Sequence, residues 1–146
     1  MATVSNCDLP EDLYYVVEKH VWARYEDGLV TVGLTDVAQN LAKGIISVSP
    51  KKLGRRIEAG KSVATVESSK WVGPVPSPVN GEIVEVNDAV VADPGVINRE
   101  PYGGGWIAKV RPEDWAAESA GLATGQEGVA AYAAFLEKEG ITCGSQ

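Results

Sequence analysis

The 146 residues of the chain suffice for one domain, and an apolar content of 45% is ordinary for a globular protein. A net charge of −7 argues against nucleic-acid binding, since contact with phosphates requires a basic surface. The sequence has no apolar run of about 18 residues and no opening signal-peptide pattern, so we expect a cytoplasmic protein with no membrane partner.

The first clear elements are a strand and a short helix. Residues 29–34 alternate apolar with small or polar side chains and are rich in β-branched residues, which predicts a strand. Thr35 or Asp36 can cap a helix that follows it, and Gly44 is expected to end that helix.

The segment from Lys43 to Lys61 is basic, unlike the rest of the chain. It contains six basic residues and one acidic residue, a local charge of +5, which leaves −12 for the remainder. Charge runs are most often solvated faces, and that interpretation suffices here. The alternative is a docking patch for an acidic partner.

The next two predicted strands, 62–67 and 82–87, are separated by a turn and a stiff return limb. Lys70 falls at or near the turn, where its amine projects into water. The return limb holds three prolines, which cannot donate ladder hydrogen bonds and therefore predict an edge strand. They are Pro74, Pro76 and Pro78.

Beyond Pro112 the chain becomes rich in alanine and poor in strand signals. Residues 126–139 carry an apolar face at helical spacing, Gly140 is expected to end that helix, and residues 113–120 form a shorter one. Short strands with frequent turns, followed by helices, predict a mainly β sandwich or barrel.

The two cysteines and the one histidine do not suggest catalysis or metal binding. Cys7 and Cys143 are too few for a disulfide framework, and with His20 they make a poor zinc site. We expect free thiols, with a disulfide between the two ends of the chain as the alternative. His20 lacks the partners of a catalytic triad, so no catalytic residue is expected.

One constellation around Lys70 resembles the lipoyl-attachment site of the glycine-cleavage H-protein family. The chain reads Glu-Ser-Ser-Lys at 67–70 and Ser-Pro-Val-Asn-Gly-Glu at 77–82, as that family's motif requires. Further family motifs follow in order along almost the whole chain. They are Leu-Pro-Glu-Asp-Leu at 9–13, His-x-Trp at 20–22, Val-Gly-Leu-Thr-Asp at 32–36, Asn-Arg-Glu-Pro-Tyr-Gly at 98–103 and Gly-Trp-Ile-Ala-Lys-Val at 105–110.

The resemblance implies a fold and a cofactor. The fold is a flattened β-barrel or sandwich of the lipoyl-domain (barrel-sandwich hybrid) type, with a short helix after the third strand and C-terminal helices. It implies one carrier domain over 1–146, with a β core at about 13–111 and a helical extension at 112–146. Lipoate would be attached to Lys70, with Glu67 and Gly81 recognised by lipoate-attaching enzymes. Such a protein is a carrier and not an enzyme, because the cofactor supplies the chemistry.

Four positions around the arm depart from the family pattern. Family members hold a cationic aminomethyl cargo among acidic and polar groups, whereas this chain has Lys19, Val21, Trp71 and Pro74 at or beside those positions. We expect Val21, Trp71 and Pro74, with His20, to surround the arm. Burying an unpaired cation there would cost several kcal/mol.

These departures make the chain more similar to the H-protein-like lipoate-binding proteins of bacterial sulfur oxidation. That similarity implies a sulfur-bound cargo and a heterodisulfide-reductase-like partner complex. The alternative is the H protein of glycine cleavage, served by the glycine cleavage enzymes. Dihydrolipoamide dehydrogenase is a further expected partner. An alternative of another class is an interaction module whose Lys70 stays unmodified.

Overall fold

A computed structural model describes residues 2–144 of the chain. Within this range the chain forms twelve strands. In order they are β1 (Ala2–Val4), β2 (Cys7–Leu9), β3 (Tyr14–Val16), β4 (Val21–Glu26), β5 (Leu29–Leu34), β6 (Ile45–Pro50), β7 (Arg56–Ile57), β8 (Ser62–Ser68), β9 (Val72–Pro76), β10 (Gly81–Val86), β11 (Ala108–Pro112) and β12 (Ala123–Thr124). The predicted strands at 29–34, 62–67 and 82–87 are therefore confirmed to within one residue.

The same range contains five α-helices. They are α1 (Asp36–Ala42), α2 (Asp88–Ala92), α3 (Val96–Arg99), α4 (Trp115–Glu118) and α5 (Gly125–Glu139). Thr35 caps α1 as predicted, its hydroxyl accepting a hydrogen bond from the Ala38 amide at 3.3 Å. Gly140 ends α5 in the left-handed conformation, also as predicted.

Two details of α1 differ from the sequence prediction. The helix follows the fifth strand and not the third, because β1, β2 and β3 are three-residue strands too short to show alternation. Its C-terminus is formed by Lys43, with a φ of 65°, and not by Gly44. A positive φ is uncommon for a residue other than glycine. The Lys43 amide still donates a hydrogen bond to the Gln39 carbonyl, at 2.9 Å.

The strands pair antiparallel in two main sheets and one small hairpin. The larger sheet has the order β12-β3-β4-β5-β11-β10-β7, the smaller sheet the order β6-β8-β9, and β1 pairs with β2. Buried side chains of both main sheets, such as Val32 of the larger and Val66 of the smaller, belong to one apolar cluster. The molecule is thus a mainly β, flattened sandwich, as the sequence predicts.

A second apolar cluster lies on the other face of β3 and β4. Along β4, Val21 and Ala23 enter the first cluster while Trp22 enters the second, as the two-residue period of a strand requires. Helix α5 closes the second cluster with Tyr132 and Leu136, both fully buried. The residues after 112 therefore pack against the β core; β12 also pairs with β3.

The prediction of free thiols is wrong in this structure. Cys7 and Cys143 form a disulfide, with Cα atoms 4.9 Å apart and both residues buried in the second cluster. The two cysteines are 136 residues apart in sequence, so the sequence does not show that they are close in space. Pairing of the two chain ends depends on α5 returning to the N-terminal hairpin, which no local pattern shows. In the described range no helix has the length and apolarity to cross a membrane.

Candidate functional site

Lys70 lies at the tip of the hairpin that joins β8 to β9. The Ser68 amide bonds the Trp71 carbonyl at 2.7 Å, which closes the turn. The Ser68 hydroxyl accepts hydrogen bonds from the amides of Lys70 and Trp71 at 3.2 and 3.0 Å. Ser68 is buried whereas Lys70 is exposed. This serine of the Glu-Ser-Ser-Lys segment thus fixes the turn and leaves the lysine amine in solvent.

The Trp71 side chain folds back over the first residues of strand β9. A Cβ atom at Gly73 would collide with the Trp71 indole, so the ring lies directly against the glycine backbone. Trp71 as a whole remains 42% exposed, which is high for a tryptophan. Gly73 was not among the predicted site residues; a glycine inside a strand and two residues after Trp71 is the sequence signal for a close approach to its backbone.

A cleft of about 570 Å³ begins at Lys70, and we call it the lysine cleft. Its wall begins at Trp71, follows β9 through Pro74 and Pro76, and reaches Gly60. Five strand residues span about 17 Å, so the cleft is elongated along this strand. The lining is mainly apolar. It comprises Glu18, Lys19, His20, Leu34, Ala38, Leu41, Ala42, Gly60, Lys70, Trp71, Pro74 and Pro76.

The structure brings most of the predicted arm environment together. His20, Trp71 and Pro74 line the lysine cleft with Lys70, and Lys19 does so too. Val21 differs, because it is fully buried in the first apolar cluster and does not line the cleft. Strand alternation turns it inward, away from its neighbour. Glu18 is a lining carboxylate that the sequence reasoning missed.

His20 is held by a hydroxyl chain that reaches α5. Its backbone is left-handed, with a φ of 58°. Its Nδ1 lies 2.5 Å from the Tyr132 hydroxyl, which lies 2.9 Å from the Thr35 hydroxyl. Burial lowers the pKa of His20 to about 4, so the ring is neutral at pH 7. If Tyr132 donates to Nδ1, the ring proton sits on Nε2.

The two predicted recognition residues occupy different surroundings. Glu67 is exposed on β8, paired in register with Val72 of β9, close to the turn that bears Lys70. Gly81 is buried on β10 between β7 and β11. A Cβ atom there would collide with the Arg111 carbonyl of β11, so the close approach of β10 to β11 by itself requires glycine.

The family model for the glycine cleavage H-protein matches residues 13–138 of this chain. The chain belongs to the glycine cleavage H-protein family. H proteins of this family carry covalently attached lipoate on a lysine and are carriers without catalytic activity of their own. The chain is accordingly a lipoyl carrier protein and not an enzyme. In residues 2–144 no cluster of three histidine, cysteine or carboxylate side chains could hold a metal ion.

Similar proteins and structures agree with this membership. Glycine cleavage system H protein 5 of Aquifex aeolicus is 45% identical over 148 residues, which covers 99% of this chain and all of that protein. A probable glycine cleavage system H protein 2 of Sulfurisphaera tokodaii is 43% identical, covering 98% of both chains. The crystal structure of the Mycobacterium marinum H protein matches with a TM-score of 0.75 at 32% identity, covering 91% of this chain and all of that one.

Proposed function

We propose that Lys70 is the lipoylated residue and that the lysine cleft receives the lipoyl arm. The observation that carries this proposal is that the only lysine at a hairpin tip within the described range lies on the rim of an elongated, mainly apolar cleft. An aliphatic chain fits such a lining, because leucine, alanine and proline side chains offer it apolar contact. The attached group supplies a redox-active disulfide that can hold a cargo on sulfur.

The protein's own residues position the lysine and shape its surroundings. Ser68 holds the turn, Trp71 and Pro74 form the wall nearest the lysine, and neutral His20 adds a polar edge without charge. Glu67 is exposed and lies beside the turn, so a lipoate-attaching enzyme that binds the hairpin can contact its carboxylate. We propose the recognition role for Glu67, and for Gly81 a supporting role through the shape of the sheet.

The attachment site is tested by intact-mass spectrometry of protein purified from its native host. We expect one lipoyl increment on the wild type, none on Lys70→Arg, and an unchanged increment on the control Lys43→Arg. Peptide mapping should place the increment on the tryptic peptide that spans 62–99, since trypsin does not cut after a modified Lys70. A wild-type mass without the increment under every growth condition would contradict the proposal.

The names of the relatives favour the aminomethyl group of glycine cleavage as the cargo. The similar Aquifex and Sulfurisphaera proteins bear glycine cleavage names, so they support this cargo better than the sulfur-bound one. Glu18 also lines the lysine cleft and could pair with a cationic group. The glycine cleavage enzymes, a lipoate-attaching enzyme and dihydrolipoamide dehydrogenase are the partners that this role requires.

A sulfur-bound cargo is the second candidate, and the chemistry of the cleft favours it. In the lining, the positive charge of Lys19 offsets the negative charge of Glu18. Lipoylation would remove the charge of Lys70, and the rest of the lining is mostly uncharged. Pro74 and Trp71 offer no carboxylate to a cation. A neutral or anionic sulfur adduct would need none, which suits a heterodisulfide-reductase-like partner complex and a sulfur oxidation pathway.

The two cargoes are separated by assaying the lipoylated protein with each set of enzymes. Glycine decarboxylase exchange that depends on this protein, and that falls in Glu18→Gln but not in the control Glu137→Gln, would support the aminomethyl cargo. Absence of exchange, together with reduction or loading by the heterodisulfide-reductase-like complex, would support the sulfur cargo. Efficient exchange unaffected by Glu18→Gln would remove the role assigned to Glu18.

A further inference from the structure

Five basic residues gather at the end of the lysine cleft that is remote from Lys70. They are Lys51, Lys52, Arg55, Arg56 and Lys61, and we call them the basic patch. Four of them surround a surface hollow of about 370 Å³ together with one carboxylate, Glu58. The fold brings them together, because the loop after β6 and the turn before β8 both border β7.

The basic patch borders the lysine cleft directly. Gly60, which lines the far end of that cleft, precedes Lys61, which lines the hollow. The Gly60 amide bonds the Ser77 carbonyl at 2.8 Å, and the Ser77 amide bonds the Lys61 carbonyl at 2.7 Å. Two backbone hydrogen bonds thus fix this junction to the end of β9, so the patch stands in a constant position relative to Lys70.

Most of these charges are unneutralised within the chain. Of the ion pairs in the described range, one involves the patch, between Arg56 and Glu113 at 2.6 Å. The side chains of Lys52, Arg55 and Lys61 are exposed. The remainder of the molecule is strongly acidic, so the basic patch is a local reversal of the charge of the chain. Leu53, in the loop between Lys52 and Arg55, is 61% exposed and offers an apolar side chain beside these charges.

We propose that the basic patch docks an acidic face of the enzyme that loads or unloads the arm, at the end of the lysine cleft opposite Lys70. This proposal rests on the carrier function. The partner would contact the patch while its active site faces the cleft, so charge attraction would orient the carrier before the arm is engaged. Attraction of this kind acts mainly on the association rate and weakens with salt.

The test measures the affinity of the lipoylated protein for purified glycine decarboxylase and for the purified heterodisulfide-reductase-like complex by calorimetry at several salt concentrations. We expect Lys61→Glu to weaken binding to at least one of them by roughly two- to fivefold and to flatten the salt dependence. Lys61→Arg should bind like the wild type. Lys138→Glu, with the same charge change on the exposed end of α5, should also leave binding unchanged.

The outcomes separate this proposal from the carrier function. Equal affinities for Lys61→Glu and Lys138→Glu, or no binding of the wild type to either enzyme, would overturn the docking proposal while the lipoyl increment on Lys70 stands. A missing increment would overturn the carrier function whatever the affinities. A salt-sensitive dimer in sedimentation, abolished by Lys61→Glu, would assign the patch to a second copy of the chain and also overturn the proposal.

Discussion

At the scale of single residues, Lys70 lies at the tip of the β8–β9 hairpin and His20 lines the same cleft. Lys70 could be placed at a turn because a strand pattern ends just before it, and the structure has it there. Val21 was expected at the cleft, but it begins β4, and the alternation of that strand turns its side chain into the first apolar cluster. His20, just before the strand, lines the cleft and has a left-handed backbone that no propensity predicts.

The half-buried, neutral ring of His20 gives a pH dependence that can be measured. Its pKa is about 4 in the folded chain against 6.5 for an ordinary histidine, so the unfolded chain binds the proton more readily. The stability contribution is fully present above pH 6.5 and is lost as the pH falls towards 4. After allowance for partial exposure, we expect a loss on the order of 1–2 kcal/mol.

Urea unfolding at pH 7 and pH 4.5 checks this expectation. Asparagine tolerates the left-handed backbone, so His20→Asn should fold and should show a smaller difference between the two pH values than the wild type. Lys19→Gln, a change of the adjacent exposed residue, should keep the wild-type difference. An identical pH difference in wild type and His20→Asn would assign the acid sensitivity to other groups.

At the scale of elements, long and regular segments were predictable and short ones were not. Helix α5 shows its buried face in sequence, and Tyr132 and Leu136 lie on it as expected. Helices α2 and α3 have five and four residues, too short for a periodic pattern. The pairing of Cys7 with Cys143 depends on both terminal elements meeting, so neither element alone reveals it.

The disulfide should stabilise the attachment of the C-terminal segment. It joins residues 136 apart, and closing so long a loop restricts the unfolded chain, which is worth about 3–5 kcal/mol. We expect reductant to lower the urea midpoint of the wild type and Cys143→Ser to show that lower midpoint with or without reductant. Wild-type protein whose midpoint does not respond to reductant would mean that the bond does not form in solution.

At the scale of the whole molecule, two apolar clusters share strands β3 and β4. The first unites the two main sheets, and the second joins the larger sheet to α5 and the N-terminal hairpin. The division into a β core at 13–111 and an extension at 112–146 stays a prediction, and the packing of α5 in the second cluster leads us to expect that the extension unfolds together with the β core. Sequence patterns did not show this contact, because it depends on opposite faces of one strand entering different clusters.

Truncation of Leu136 tests whether the molecule unfolds as one unit. Its side chain is fully buried in the second cluster, so Leu136→Ala should lower the free energy of unfolding by about 2–5 kcal/mol. Exposed Glu137→Ala should change it by less than about 0.5 kcal/mol. Tryptophan fluorescence and far-ultraviolet circular dichroism should give coincident transitions for both variants. A separate early transition in Leu136→Ala would instead make α5 an independently unfolding segment.

The prolines of β9 have a consequence for how the carrier behaves in a crowded cell. Strand β9 is an edge of the smaller sheet, and Val75 and Gly73 alternate along it with Pro74 and Pro76. The backbone nitrogens of Val72, Pro74 and Pro76 point away from the neighbouring strand. Two of these three residues are proline and carry no amide hydrogen. A strand of another molecule therefore cannot readily pair with this edge. The edge beside the exposed hairpin of Lys70 is thus protected against aggregation.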